Sequence, residues 1–425
     1  MRNENLQNNL FETIAVLDSR MEATEFCKQL ANFADFGTET VIERRKIGAT
    51  LLPIYQNEFW TAKQRQSDSI HEVSYRACFK AQLPRFFIES LTRKNDIVYD
   101  PFAGRGTTII EAALLGRHVI ANDVNPLSKI LCKPRLDVPS LNDIWKRLNE
   151  ISIDENIKAD LDLSMFFHPK TEAEIVSLKN YLHTKSSQKN NDYIDDWIRM
   201  VATNRLTGHS SGFFSVYTLP PNQAVKPERQ KKINETRNQT PDYRNTKEII
   251  LKKSKSLLRD LSQSNKKNLK DISEGAIFST SDARFTNKIP GDLVQLTVTS
   301  PPFLDVVQYA DDNWLRCWFN SIDIENVEIS MAKTVEKWCE IMGDVFRELY
   351  RITLKNGFVA FEVGEVKNGK IKLDEYVVSL GEEAGFYCEG IIINEQVFTK
   401  TSNIWGVKNN DKGTNSNRIV LFKKK

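Results

Sequence analysis

The chain has 425 residues, of which 40% are hydrophobic and 27% charged, and its formal net charge is +3. That composition supports a sizeable core and excludes a wholly disordered chain; the length calls for roughly two or three domains, or one large domain with an insertion. Six cysteines, at 27, 78, 132, 317, 339 and 388, form no Cys-x-x-Cys pair, and the five histidines are dispersed, which speaks against a zinc finger, a disulfide scaffold or any metal site.

The N-terminus lacks a basic-then-apolar signal layout, and no apolar run reaches about 18 residues, so a cytoplasmic protein is the expectation. Residues 1 to about 50 show apolar positions near a 3.6 period and read as helices, and 1–60 is expected to be an N-terminal helical extension. Residues 51–83 are mixed in character, and 83–92 read as a helix opened by Pro84. Residues 96–116 read as strand, tight turn, helix, and 118–126 as a second short strand followed by a helix ending near Pro134. From 137 to 223 the pattern is largely helical, with a glycine-containing turn at 206–214. Strands return at 275–284 and 293–303, helices at 311–320 and 331–352, a strand at 357–366 and a helix at 376–385. Residues 386–398 and 416–425 read as a closing antiparallel pair. Strand–helix alternation broken once by a long foreign segment predicts an open, doubly wound α/β sheet carrying a helical insertion.

The small net charge hides a polarised distribution. Residues 224–270 hold 14 Lys/Arg against 5 Asp/Glu, a local net charge of +9, so the rest of the chain is net −6. Such a stretch suits a polyanion, although a solvated basic linker has the same composition.

Gly104 and Gly106 lie between a predicted strand and a predicted helix, where glycine permits unusual backbone angles and close ligand approach. The pattern Gly-x-Gly-Thr-Thr lacks the third glycine of a dinucleotide loop and the Gly-Lys-Ser/Thr of a triphosphate loop, so a zwitterionic cofactor without phosphates fits better. Asp100 ends the first strand and can organise the loop or meet a ligand's ammonium through water. Asp123 ends the second and is placed for ribose hydroxyls, and Asp282 after a later strand is placed for an adenine amino group.

With these residues the chain resembles the DNA amino-methyltransferases, which methylate cytosine N4 or adenine N6. The cofactor loop of that family is similar to Asp100, Pro101, Phe102, Ala103, Gly104, Gly106, Thr107 and Thr108, and its ribose acid matches Asp123. Its catalytic loop matches Ser300-Pro301-Pro302-Phe303. Residues 79–89, with Phe79 and Lys80, resemble the helix that helps to hold the methionine portion of the cofactor. The motif order resembles the one called alpha. The resemblance implies a Rossmann-like fold dependent on S-adenosylmethionine, with 61–136 and 271–425 as two parts of a catalytic domain and 137–270 as a mainly helical target-recognition insertion. A serine in first position implies cytosine N4, whereas aspartate is more typical of adenine N6. A restriction–modification or epigenetic setting, with a cognate restriction endonuclease as candidate partner, follows from the same resemblance.

The chemistry suits the motif. The amino nitrogen of a base is a poor nucleophile because its lone pair is conjugated into the ring. The Ser300 hydroxyl and the Pro301 carbonyl can accept its two hydrogens and favour a pyramidal nitrogen. Two prolines stop the loop from continuing as sheet, and Phe303 offers a face for stacking a base flipped out of the duplex. Cys317 stands in Arg-Cys-Trp without a preceding proline and does not look like the nucleophile of carbon-5 enzymes.

Candidate contacts to double-stranded DNA are Asn204, Arg205, His209 and Ser210 near the glycine turn, Lys226, Arg229, Lys231 and Lys232 in the basic stretch, and Tyr309 and Arg316 after the catalytic loop. Trp314 can line a base pocket, or Trp314 and Trp318, four apart, can simply pack one helix face. The rival readings are an adenine-N6 enzyme, an RNA base methyltransferase, a noncatalytic nucleic-acid-binding homologue and, least supported by the loops, a dehydrogenase.

Overall fold

The computed structural model describes residues 25–61, 67–75, 78–219, 224–302, 309–323, 332, 334–366, 371–395 and 416–425. Helix α1 (Glu25–Ala31) precedes strands β1 (Val41–Ile47) and β2 (Thr50–Asn57), then α2 (Gln82–Leu91), β3 (Ile97–Asp100), α3 (Thr107–Leu114), β4 (His118–Asn122) and α4 (Leu127–Cys132). A run of helices follows: α5 (Leu141–Glu150), α6 (Pro169–Ser187), α7 (Tyr193–Thr203), α8 (Pro227–Arg237), α9 (Thr246–Leu257) and α10 (Gln263–Ser273). The chain then forms β5 (Ile277–Ser279), β6 (Val294–Thr299), α11 (Tyr309–Phe319), α12 (Val335–Ile352) and β7 (Thr353–Val363). A short ribbon of β8 (Glu365–Val366) and β9 (Ile371–Lys372), α13 (Leu373–Glu383), β10 (Tyr387–Glu395) and β11 (Ser416–Lys423) complete it.

Nine strands form one sheet in the order β1-β2-β10-β11-β7-β6-β3-β4-β5. From β7 to β5 all neighbours are parallel, while β11 is antiparallel to both β7 and β10. The period-2 alternation of these strands buries both faces. Val98, Ala121, Leu296 and Val298 face a core shared with α2, α3 and the inserted helices, whereas Tyr99, Ile120, Val359 and Phe361 face α12 and α13. The doubly wound α/β architecture expected from the sequence is therefore present. Chain order reverses between β3 and β6: β4 and β5 extend one way from β3, β6 and β7 the other. In such sheets the crevice at the strand carboxyl ends at this switch point is where ligands bind.

The expectation of a helical N-terminal extension over 1–60 holds at α1 and is corrected over 41–57 by β1 and β2, while residues 1–24 lie outside the described residues. They form an antiparallel hairpin, and β2 pairs parallel with β10, so the hairpin widens the main sheet. Pairing of Ile47 with Thr50 leaves Gly48 and Ala49 as a two-residue turn, and Gly48 has a φ of +58°. A positive φ at the first turn position is the geometry that matches strand twist, and glycine takes it at no steric cost. The misreading has a physical origin. β1 is an edge strand whose Glu43, Arg44 and Lys46 are exposed or half-exposed, so it lacks a strong apolar alternation.

The inserted helices share their core with the sheet. Trp197 of α7 is fully buried and its indole N–H donates to Ser254 Oγ of α9 at 3.0 Å. Helix α10 packs on α3, with Asn268 Nδ2 donating to the Leu114 carbonyl at 2.9 Å. It thereby acts as the crossover helix between the parallel strands β4 and β5, although the expected insertion ran to residue 270. Among the described residues no helix is long and apolar enough to cross a membrane.

Asn394, fully buried on β10, fastens the chain that leaves the hairpin. Its Oδ1 accepts the Phe59 and Trp60 N–H groups at 2.7 and 3.1 Å, and its Nδ2 donates to the Trp60 carbonyl at 3.2 Å. Substitution Asn394→Ala would leave buried backbone donors unpaired and should cost about 2–4 kcal/mol, read as a lower midpoint in urea denaturation.

Candidate active site

The two motif loops emerge side by side from the carboxyl ends of β3 and β6, which are adjacent parallel strands. Asp100 is buried at the end of β3 and accepts the Phe102 N–H at 3.1 Å and the Thr299 hydroxyl at 2.6 Å. From the other side Thr108 Oγ1 donates to the Val298 carbonyl at 3.0 Å. One loop is thus bonded to the other strand's end in both directions. Burial pushes Asp100 up to about 7, opposed by the hydroxyl and amide donors around it. With its oxygens turned into the protein, Asp100 organises the loop.

Gly104 and Gly106 adopt φ of +51° and +79°. The Gly104 N–H donates to Asp123 Oδ2 at 2.8 Å, and the Asn125 N–H to Asp123 Oδ1 at 2.9 Å. Asp123, just past β4, is pushed up to about 6 by burial. The loop and the candidate ribose acid are therefore one hydrogen-bonded unit. Three neighbours that the sequence reading passed over complete it. Arg105 reaches back from the loop to the carbonyls of Val73 and Phe79, at 3.0 and 3.4 Å. Arg135, fully buried, donates to the carbonyls of Leu131, Ile70 and Arg105. The ring of Tyr75 lies 3.6 Å from where a Gly104 Cβ would sit, with its hydroxyl 3.5 Å from Asn125 Nδ2. Phe79 is half-buried and Lys80 exposed.

In the Ser-Pro-Pro turn Ser300 is half-buried, and its hydroxyl faces Glu362 on β7, where it works against the effect of burial on that carboxyl. Glu362 Oε1 also accepts Asn417 Nδ2, from β11, at 2.9 Å, and burial raises this carboxyl above the usual range. The Pro302 carbonyl accepts the indole N–H of Trp338 at 3.0 Å, and Pro301 is buried. The turn is thus held from the sheet and from α12. Glu362 was missed as a site residue, although an acid inside the apolar run 357–363 was a usable signal. Phe303 lies outside the described residues.

The expected DNA contacts divide into two sets. Lys226, Arg229, Lys231 and Lys232 are exposed at the start of α8; Lys226 pairs with Asp311 at 3.1 Å and Lys231 with Asp162 at 3.8 Å. Ser210 is exposed, and His209 is half-buried beside Phe213. Arg205 and Arg316 are buried. Tyr309 opens α11, but its side chain is not among those described. Asn204 is a correction. It is buried, its Nδ2 donates to the Ser74 carbonyl at 2.8 Å, and its Oδ1 accepts the Ser74 N–H at 3.2 Å and Arg205 at 2.8 Å. An amide engaged on both ends is a clamp between segments and has no edge free to read a base. Trp314 and Trp318 resolve toward packing, with indole N–H bonds to the Val225 carbonyl at 3.3 Å and to Asp160 at 2.6 Å. Asp282 is gripped by the Arg284 guanidinium at 2.6 Å, which holds its carboxyl below the usual range. Among the described residues no three His, Cys, Asp or Glu side chains are grouped to hold a metal.

The two loop glycines should differ in tolerance. A Cβ on Gly106 would meet Cys132 Sγ at 2.2 Å, whereas one on Gly104 finds nothing nearer than the Tyr75 ring at 3.6 Å. Gly104→Ala should cost about 1–2 kcal/mol for its left-handed backbone alone. Gly106→Ala should cost clearly more and displace α3, as read by parallel denaturation curves of both variants.

Residues 37–129 match the family model described as DNA methylase, which covers adenine-N6 and cytosine-N4 enzymes alike. The chain is similar to the type II methyltransferase M.BsoBI of Geobacillus stearothermophilus, 22% identical over 346 residues, covering 73% of this chain and 66% of that one. It is also similar to the type II methyltransferase M.MjaII of Methanocaldococcus jannaschii, 26% identical over 88 residues, covering 20% of this chain and 17% of the relative. Among solved structures, a protein assigned as a DNA modification methylase from Thermus thermophilus, complexed with S-adenosyl-L-methionine, aligns over 34% of this chain and 53% of its own at 21% identity and a TM-score of 0.23. The rRNA methyltransferase aviRa from Streptomyces viridochromogenes aligns over 84% and 89% at 12% identity and a TM-score of 0.33. Residues 37–129, which contain the hairpin, the glycine loop and Asp123, are on this match assigned to the DNA methylase family.

Proposed function

We propose that this chain transfers a methyl group from S-adenosylmethionine to an exocyclic amino nitrogen of a base in duplex DNA, with cytosine N4 as the target. The observation that carries the reading is the bond from Thr299 to Asp100, which joins the Ser-Pro-Pro turn to the glycine loop at the switch point of the sheet. The family match over 37–129 supports DNA as substrate, as does the basic stretch 224–270. Cytosine follows from Ser300 in first position, through the resemblance drawn from the sequence.

The residues present fit this cofactor. Two carboxylates, the buried Asp100 and the half-buried Asp123, border the glycine loop and would repel a polyphosphate. Asp123 has lone pairs beyond its two amide bonds for the ribose hydroxyls, and glycine at 104 lets the backbone approach the ligand. Phe79 and Lys80 would border the methionine end, and the Asp282–Arg284 pair the adenine. When bound, S-adenosylmethionine supplies an electrophilic methyl on a sulfonium.

The chain's own residues then orient the acceptor and move a proton. The Ser300 hydroxyl donates to Glu362, so its lone pairs are free to accept a hydrogen of the base amine, while the Pro301 carbonyl accepts the other. A methylated amino nitrogen is cationic and sheds one proton. Ser300 Oγ takes it and passes its own hydrogen to Glu362, leaving a neutral secondary amine and a protonated carboxyl. Phe303 stacks the flipped base, and Lys226, Arg229, Lys231, Lys232, His209 and Ser210 contact the duplex.

Incubation with labelled S-adenosylmethionine and duplex DNA, followed by nucleoside mass spectrometry, should yield N4-methylcytosine. N6-methyladenine alone would overturn the choice of base, and label confined to RNA the choice of DNA. Ser300→Ala should lower kcat by about 10²-fold or more with cofactor affinity unchanged. Cofactor affinity should hold above about pH 6 and fall below it, because Asp123 accepts ribose hydroxyls best as a carboxylate. Calorimetric titration across that range should show the fall, and Asp123→Asn should flatten it. The rate should rise with pH as Glu362 loses its proton, and Glu362→Gln should abolish that acid limb in a profile of kcat against pH.

A further inference from the structure

Two buried arginines share one hydrogen-bonded network where the inserted helices join the catalytic layer. Arg205 follows α7 and Arg316 lies on α11; they are 8% and 7% exposed. Among the described residues neither has a carboxylate within ion-pair distance; their bonds all go to neutral acceptors. Arg205 donates to the Asn204 carbonyl at 2.9 Å and to Asn204 Oδ1 at 2.8 Å, and its guanidinium stands 4.0 Å from the centre of the Phe213 ring. Arg316 donates to Asn313 Oδ1 at 3.1 Å and to the Ser74 carbonyl at 3.3 Å. Because Asn204 also clamps Ser74, one small network holds both guanidinium groups.

Such an arrangement is costly without an anion. Burial and the neighbouring Arg316 push Arg205 down to about 10, which leaves it charged at neutral pH, and burial lowers Arg316 as well. Lys253 is lowered to about 8 by burial and by Arg205. Glu72, the carboxylate that Arg205 senses, is already engaged by Lys253, Arg259 and Ser256, and Arg316 senses the buried Asp312, so four cations face two carboxylates. Positive charge therefore exceeds negative charge in a poorly solvated spot, where a bound oxyanion stabilises most. The spot is also next to the candidate active site. Ser74, which both clamps share, precedes Tyr75, whose ring lies against Gly104.

We infer that Arg205 and Arg316 together grip one backbone phosphate of the nucleic-acid substrate beside the base drawn into the active site. The inference rests on the reading of the chain as a nucleic-acid methyltransferase. A phosphate is favoured over the cofactor's carboxylate because Arg205 belongs to the insertion, the part of the chain that also holds the +9 stretch, and not to the β3 or β4 loops. One anion held by both arginines would couple the insertion to the helix that follows the Ser-Pro-Pro turn.

The test measures binding of the full chain to a fluorescent duplex carrying the site it methylates, over a series of salt concentrations. Arg205→Gln and Arg316→Gln should each weaken binding by roughly tenfold and reduce the slope of log affinity against log salt by about 1, with S-adenosylmethionine affinity unchanged. Arg205→Lys and Arg316→Lys, which keep the charge and spare the fold, should retain the wild-type slope while losing part of the affinity. An unchanged slope in folded Gln variants overturns the inference. So does an equal loss of cofactor affinity, which would assign the pair to the methionine carboxylate. Failure of the underlying reading is separate: the wild-type chain would then leave every nucleic acid offered unmethylated.

Discussion

The hydroxyl of Thr299 bonded to the buried carboxyl of Asp100 is the contact on which the candidate site depends. It joins the ends of β6 and β3 at the point where strand order reverses, and everything of chemical interest is built outward from it. On the β3 side, Asp100 shapes the turn that presents Gly104 to Asp123. On the β6 side, the next residue is Ser300, fixed by Glu362. The spacing between a ligand on the glycine loop and an acceptor on the serine is therefore set by adjacent parallel strands, whose separation of about 4.8 Å is a property of the sheet itself.

Around that contact the molecule spends buried polar groups freely. Arg135, Asn204, Glu362 and Asn394 all lie in the interior and all hold a segment that secondary structure alone would leave loose. A buried polar side chain is tolerable only when its bonds are met, so each of these residues locks its loop into one arrangement. Arg135, Arg205 and Arg316 all bond to neutral groups, but Arg205 and Arg316 are joined through Ser74 in one network. Two guanidinium groups close enough to lower one another are what the proposed phosphate would bridge.

Much of the local structure was legible in the sequence. Helices α2, α3, α12 and α13 and strands β3, β4, β6, β7 and β10 stand close to where periodicity and turn residues put them. These segments are long or strongly patterned, and their faces are buried by near neighbours. The hairpin was not legible, because an edge strand with Glu43, Arg44, Arg45 and Lys46 has no need of apolar alternation. The end of the insertion was also blurred. Helix α10 is as polar as its predecessors, yet it packs on α3 as part of the α/β layer.

For the candidate site, the sequence by itself determined the motif residues, Gly104, Gly106, Asp123 and Ser300, because backbone freedom and the proposed ribose and amine contacts each call for a residue type at a local position. Tertiary structure alone decided their partners. Glu362 reaches Ser300 and Asn417 reaches Glu362 from strands far along the chain, Arg135 reaches Arg105 from beyond β4, and Asn204 is turned from a candidate reader of bases into a clamp by Ser74. The physical reason is the same throughout. A side chain's type states which bonds it can make, but only the packing of the sheet and its helices determines which of those bonds are already used.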